Sequence, residues 1–208
     1  MKSPLKRFTW TAALSVALFR ARGQEISLPD QIYNPGPLKP IDSRLKVRVG
    51  QPAPDFDLPG IHRRRIRLSE FRGRKIVVIS FVPAAWTPLS SAQWPGYDLA
   101  KPLFDKYDAT LISVSVDNVP TLYAWTRAMG ALWFPAASDF RPHGRVAQTY
   151  GVLRSDGTAE RALFVIDKAG IIRYIDVHDI NERPPPRCSC GRPPPRQRRP
   201  PGSSLSNR

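Results

Sequence analysis

The chain has 208 residues, enough for one domain with a sizeable core. Its net charge of +15 suggests a nucleic acid or an anionic surface only until the charge is located: residues 1–23 hold five cations and no acid, and residues 183–208 hold seven arginines and no acid. That leaves +3 for residues 24–182, so nucleic acid is not the expected partner of the middle, and the two cysteines, Cys188 and Cys190, form neither a disulfide framework nor a zinc site.

Residues 1–23 are similar to an export signal. Three cations precede the uncharged run Phe8–Phe19, which is shorter than the roughly 20 apolar residues a membrane-spanning helix needs. Ala21-Arg22-Gly23 then offers small residues for cleavage before Gln24. The expected location is periplasmic or extracellular. An untranslocated basic leader, leaving the protein cytoplasmic, is the alternative. Residues 24–47, punctuated by Pro29, Pro35, Pro37 and Pro40, read as an extended lead-in to a domain over 48–182.

Gly50–Leu58 introduces a short strand, and Arg63–Arg65 reads as a solvated turn before the period-two strand Arg65–Leu68. Ser69–Gly73 suits one helical turn closed by glycine. The β-branched runs Ile76–Phe81 and Ala109–Val116 suit strands covered on both faces. Between them a helix is expected over Ser90–Tyr107, broken or kinked near Trp94-Pro95-Gly96. Thr121–Gly130 reads as a helix with Asn118 or Asp117 near its cap, and Gly144–Tyr150 as a third ended by Gly151. Arg161–Asp167 and Gly170–Val177 form a hairpin through Lys168-Ala169-Gly170. A β-α-β crossover followed by an antiparallel hairpin predicts an α/β, thioredoxin-like mixed sheet flanked by helices. From Arg183 the chain turns to Pro and Arg with almost no apolar residue, a composition that does not fold. This tail reads as a polyproline spacer, a ligand for an anionic partner, or an altered reading frame.

The most informative segment is Phe81-Val-Pro-Ala-Ala-Trp-Thr-Pro-Leu-Ser90, of the form F-x-P-x-x-x-T-x-x-S, directly after a buried strand. With cysteine in place of Ser90 it would be the active-site signature of the peroxiredoxins, the alkyl hydroperoxide reductase/thiol-specific antioxidant family. Gly50-Gln-Pro-Ala-Pro-Asp-Phe56, Leu68-Ser-Glu-Phe-Arg-Gly-Arg74 and Arg161-Ala-Leu-Phe-Val-Ile-Asp167 extend the resemblance over roughly residues 48–183. It implies a thioredoxin-like fold with an N-terminal hairpin extension and a thiol-dependent peroxidase activity without metal or organic cofactor. The implied substrates are hydrogen peroxide or organic hydroperoxides, reduced at the expense of an unidentified thiol, and the family also allows a homodimer.

Carried over by position, Pro83 shields the site, Thr87 hydrogen-bonds the peroxide, and Arg161 lowers the nucleophile's pKa and stabilises developing charge. Gln93 matches the Glu or Gln often found three residues beyond the nucleophile, and Ser90 stands at the nucleophile's own place. A thiol in a helix's first turn beside a guanidinium titrates well below its ordinary value of about 8.5. A serine hydroxyl has no such acidity and no sulfenic acid step. Peroxide reduction is therefore expected to be weak or lost. The rival readings are a non-catalytic binding module built on the retained pocket, a basic tail that does the binding, and an active peroxidase carrying a Cys-to-Ser change. A serine hydrolase would need a base for Ser90, and no motif ties His62, His143 or His178 to it. Taken singly, each site residue also has a plain role: Pro83 ends a strand, Thr87-Pro88 starts a helix, Ser90 suits a first turn, and Arg161 suits an edge-strand surface. Trp94, Tyr97 and Trp133 read as core before pocket lining, and His178-Asp179 as a turn.

Overall fold

The computed structural model describes residues 28–182; the leader and the Pro/Arg-rich tail, with the readings attached to them, lie outside the described residues. The apolar run that begins at Ile76 becomes β3 (Ile76–Phe81), the centre of a five-stranded sheet. Its neighbours are β4 (Ala109–Ser115), which runs parallel to it, and β6 (Arg161–Ile166), which runs antiparallel. β7 (Ile172–His178) pairs antiparallel with β6, and β5 (Ala136–Ser138) parallel with β4, giving the order β5-β4-β3-β6-β7. A two-stranded ribbon, β1 (Asp57–Pro59) with β2 (Arg65–Arg67), precedes it as the expected N-terminal hairpin.

The pleat of β3 divides the core. Val77, Ile79 and Phe81 face one layer with Phe164, Ile166 and Tyr150, where the three aromatic rings meet at centroid distances of 4.9–5.7 Å. Val78 faces the other, under α1 (Pro88–Leu99) and α3 (Val119–Met129), with Trp94, Leu122 and Trp125. A strand covered on both faces has no position to spend on water, which is why β3 reads as an unbroken apolar run. Its one polar residue, Ser80, belongs by alternation to the α1 side.

Most boundaries follow local chemistry. Asn118 accepts the Thr121 N–H at 2.9 Å and starts α3, which decides between the two expected caps. α4 (Arg145–Tyr150) ends at Gly151 in the left-handed region (φ 78°). Leu68–Phe71 is a 3-10 turn, and Ile61–Arg63 is another, so the turn between β1 and β2 lies ahead of the expected Arg63–Arg65, whose last residue already belongs to β2. Two expectations need correction. The Ser90–Tyr107 helix does not break at Pro95, which sits inside α1; it breaks at Ala100, and α2 (Lys101–Lys106) follows. Pro102 explains the place, since it has no N–H to donate to the last turn of α1 and is tolerated only at the start of a new helix. β5 was not anticipated at all.

The lead-in is not a loose tether. Lys46 N–H donates to Tyr150 O and Ile180 N–H to Pro40 O, while Leu38 and Asn181 exchange two hydrogen bonds at 2.8 Å. Arg154, 4% exposed, donates to the fully buried Glu160 at 2.7 Å and to Lys39 O at 2.8 Å. Glu160 in turn accepts Asp42 N–H at 2.6 Å.

Candidate active site

The parallel strands β3 and β4 end on the same side, and the chain leaving each builds the site there. After Phe81 the backbone passes the buried Pro83 and turns through Ala84–Trp86 into α1. Trp86 holds a left-handed conformation (φ 59°), uncommon for a bulky residue. Neighbours hold the turn in place. Ala85 N–H donates to the Asp117 carboxylate at 2.8 Å, and Tyr33 N–H from the lead-in donates to Trp86 O at 2.8 Å. Asp117, at the corner between β4 and α3, is itself bound by the Ser115 hydroxyl, while Ser138 donates to its carbonyl at 2.6 Å.

Thr87 is the N-cap of α1 and Pro88 its first residue, a pairing suited to a helix start because proline lacks the N–H that would have no partner there. The Thr87 hydroxyl does not cap: it donates to Ala84 O at 2.9 Å, which leaves its oxygen able only to accept further bonds. Ser90 follows in the first turn, where helix amides and the helix dipole favour negative charge. Its residue is fully buried, and its Oγ has no hydrogen-bond partner. Thr87 and not Ser90 is the cap, so Ser90 sits in the first turn with its hydroxyl bonded to no backbone group. The missing partner also removes the activated-serine reading, which requires a base on that oxygen.

Gln93 lies three residues on, hence on the same side of α1, and is buried. It accepts a hydrogen bond from Arg161 Nη1, which brings the β6 guanidinium to the first turns of α1. Arg161 is not an edge-strand surface charge: β6 is interior, the residue is 2% exposed, and its Nε has no partner. Burial pulls its pKa down to about 10, so it stays a cation at neutral pH. A buried polar atom without a partner is costly and rare in a native fold. Four such atoms occur among the described residues, Ser90 Oγ, Trp94 Nε1, Ser113 Oγ and Arg161 Nε, and two of them, on Ser90 and Arg161, belong to residues next to Gln93 on α1 or bonded to it.

Sequence reasoning places Pro83, Thr87, Ser90, Gln93 and Arg161 together, and the structure joins the last two directly. Tyr97, read from the sequence as core before pocket lining, instead reaches the site with its hydroxyl, which accepts from Gln93 Nε2 at 2.6 Å and lies 3.1 Å from Ser80 Oγ. The signals were present in the spacing of Gln93 and Tyr97 and in the lone polar residue of β3. Trp94, by contrast, is fully buried core, 4.1 Å centroid to centroid from Trp125. Asp179 accepts Asn181 N–H at 2.8 Å, as a turn residue should. Among the described residues, no group of three His, Cys, Asp or Glu could hold a metal ion, and no helix is long and apolar enough to cross a membrane.

Residues 49–175 match the model of the AhpC/TSA family. Alkyl hydroperoxide reductase E of Mycobacterium bovis is 36% identical over 137 residues, covering 65% of this chain and 89% of the relative. The chloroplastic 2-cysteine peroxiredoxin of Chattonella marina var. antiqua is 32% identical over 146 residues, covering 66% and 74%. Among solved structures, the reduced 2-Cys peroxiredoxin of Plasmodium vivax superposes with a TM-score of 0.62 at 25% identity, covering 66% of this chain and 75% of that one. The mitochondrial 2-Cys peroxiredoxin of Plasmodium falciparum gives 0.61 at 26%, covering 66% and 87%.

Proposed function

Because the chain belongs to the AhpC/TSA family, the peroxiredoxins, we propose that it retains a peroxide-binding pocket in which Ser90 replaces the attacking cysteine, so that peroxide reduction at this site is weak or lost. The observation that carries this reading is the fully buried, unpartnered Ser90 Oγ in the first turn of α1, on the same side as the glutamine that receives Arg161.

The chemistry follows from the electron count. A thiolate attacking a hydroperoxide forms an S–O bond as the O–O bond breaks. Two electrons leave the sulfur, and the departing oxygen takes a proton as water or alcohol. The sulfenic acid is then reduced by a second thiol. An alkoxide attacking in the same way forms a new O–O bond as the old one breaks. The peroxide is transferred, and nothing has been reduced. The serine must also first lose a proton it holds far more tightly than a thiol does.

In this reading the pocket receives hydrogen peroxide or an alkyl hydroperoxide, with Arg161 and the helix start aimed at the polarised oxygens and Thr87 accepting a hydroperoxide proton. A thiol reductant and a homodimer belong to the same family picture. Residues 1–23 are proposed as an export leader, which N-terminal sequencing of the secreted protein tests: Gln24 as first residue is expected, and a retained Met1 overturns that part. Peroxide consumption by the purified full chain, with a dithiol reductant in excess, tests the rest. Consumption at the background rate of reductant alone is expected, with a gain in S90C. A rate typical of thiol peroxidases in the unaltered chain overturns the reading.

A further inference from the structure

We propose that Tyr97, backed by Ser80, is a positioning residue that fixes the Arg161 guanidinium at the site without neutralising it. The inference rests on the pocket assignment above and concerns what orients its cation.

The polarity of the hydrogen bonds leaves one arrangement. Arginine donates and never accepts, so Arg161 Nη1 requires the carbonyl oxygen of Gln93. The Gln93 amide nitrogen must then face away, and it donates to Tyr97 Oη at 2.6 Å. Tyr97 keeps one proton to give, and Ser80 Oγ lies 3.1 Å away to take it. Gln93 and Tyr97 are i and i+4 on α1, while Ser80 and Arg161 come from the adjacent strands β3 and β6. The chain of bonds therefore ties the helix that carries residue 90 to the strand that carries the guanidinium.

Tyr97 is itself held firmly. Its backbone carbonyl accepts Trp133 Nε1 at 3.1 Å, and its ring meets Phe134 edge-on at 6.0 Å. Burial raises its own pKa above the ordinary phenol value, which keeps the hydroxyl protonated and neutral. Every member of the tether is thus uncharged. A carboxylate in place of Gln93 would hold Arg161 equally well but cancel its charge. With an amide and a phenol the tether itself cancels none of the positive charge; the charged groups acting on Tyr97 are Arg161 and, from β7, the Asp176 carboxylate, and Arg161 Nε is left as a donor without a partner.

The test reads a thiol placed at residue 90 in the full chain, by the pH dependence of thiolate absorbance. S90C is expected to titrate below the ordinary thiol value. S90C/Y97F should move back up by about one unit, and S90C/S80A in the same direction by less. In an S90C/Q93L background the Tyr97→Phe change should add nothing, because its effect travels through Gln93. Equal titration of S90C and S90C/Y97F, with S90C depressed, overturns the inference and leaves the pocket assignment standing. So does an undiminished Tyr97→Phe effect in the Q93L background, which a general loosening of the fold would produce. An ordinary pKa in S90C itself sinks the pocket assignment and the inference with it. Should S90C/Y97F fail to fold, S90C/S80A carries the test, and no shift there overturns the proposal.

Discussion

Glu160 and Arg161 are consecutive, buried and oppositely charged, yet neither neutralises the other. The pleat sends Glu160 to Arg154 and the lead-in, and Arg161 to Gln93 on α1. One has an ion pair and a backbone donor. The other has a neutral amide and an unpartnered nitrogen. The first arrangement builds the domain, and the second keeps a charge available at the site.

Breaking the first should therefore cost stability and spare the site. Glu160→Gln leaves the buried Arg154 cation only the longer contact to the half-exposed Asp156 carboxylate at 3.4 Å, a loss of up to about 3–5 kcal/mol for a pair this enclosed. Denaturant unfolding is expected to show a lower midpoint at unchanged slope. The titration of S90C should be the same with and without the change. A midpoint within error of the parent would show that the pair contributes nothing net.

The second arrangement predicts the opposite. A buried cation with no counter-ion carries a desolvation penalty, visible in the pKa of about 10 for Arg161. The group's folded pKa lies below its unfolded value, so the penalty is present while the group is charged and eases only as pH rises above about 10. Arg161→Met removes that penalty but takes the donor from Gln93, a loss of about 1–3 kcal/mol. The two effects oppose, and the net change in stability should stay within about 1–2 kcal/mol. The site should nevertheless fail, with the thiol of S90C returned to its ordinary pKa. A much larger loss of stability would mean that the guanidinium is structural.

The lead-in has its own pH signature. Lys39, Ser155 and the Ser155 backbone N–H all favour the charged form of Asp42 and hold its pKa well below the usual carboxylate range. A depressed carboxylate contributes stability that is complete above its unfolded pKa and fades as pH falls through the folded value. Amide exchange at Asp42 and Ser155 should thus stay slow at neutral pH and lose protection only in strong acid, below about 3.9. Asp42→Asn should release those amides already at neutral pH. Equal protection in both proteins would show that Glu160 and Arg154 hold the lead-in unaided.

The sequence was most readable where the constraint is local. Val77–Phe81 can only be a strand covered twice, Asn118 and Gly151 mark helix ends by their own chemistry, and Phe81–Ser90 carries its residue types at fixed spacing. β5 escaped notice because Ala136-Ala137-Ser138 has little strand preference and exists by pairing with Ser113–Ser115. The helix break went to the wrong proline because Pro95 lies within a helix held from both sides, whereas Pro102 acts where little packs over Leu99 and Leu103. The second layer of the site was hidden for a different reason. Asp117 meets Ala85 across 32 positions and Tyr97 meets Ser80 across 17, and only the closed fold brings those partners together.

Ser90 offers the sharpest test, because its plain and its functional readings predict opposite signs. If its hydroxyl were bonded within the fold, as that of Thr87 is to Ala84 O, Ser90→Ala would lose that bond and about 0.5–1.5 kcal/mol. The structure gives Ser90 Oγ no bond to lose: it is fully buried and unpartnered. Removing an unsatisfied buried hydroxyl relieves a penalty of about 1–3 kcal/mol, less a small term for the space an oxygen leaves behind. S90A is thus expected to be more stable than the parent by about 1 kcal/mol, a rise of roughly 2–4 °C in thermal midpoint for a domain of this size. Such a gain, beyond the few tenths of a kcal/mol that alanine's helix preference supplies, would show that the hydroxyl contributes nothing to the fold. A fall in midpoint would return Ser90 to the helix start and leave the site without its central residue.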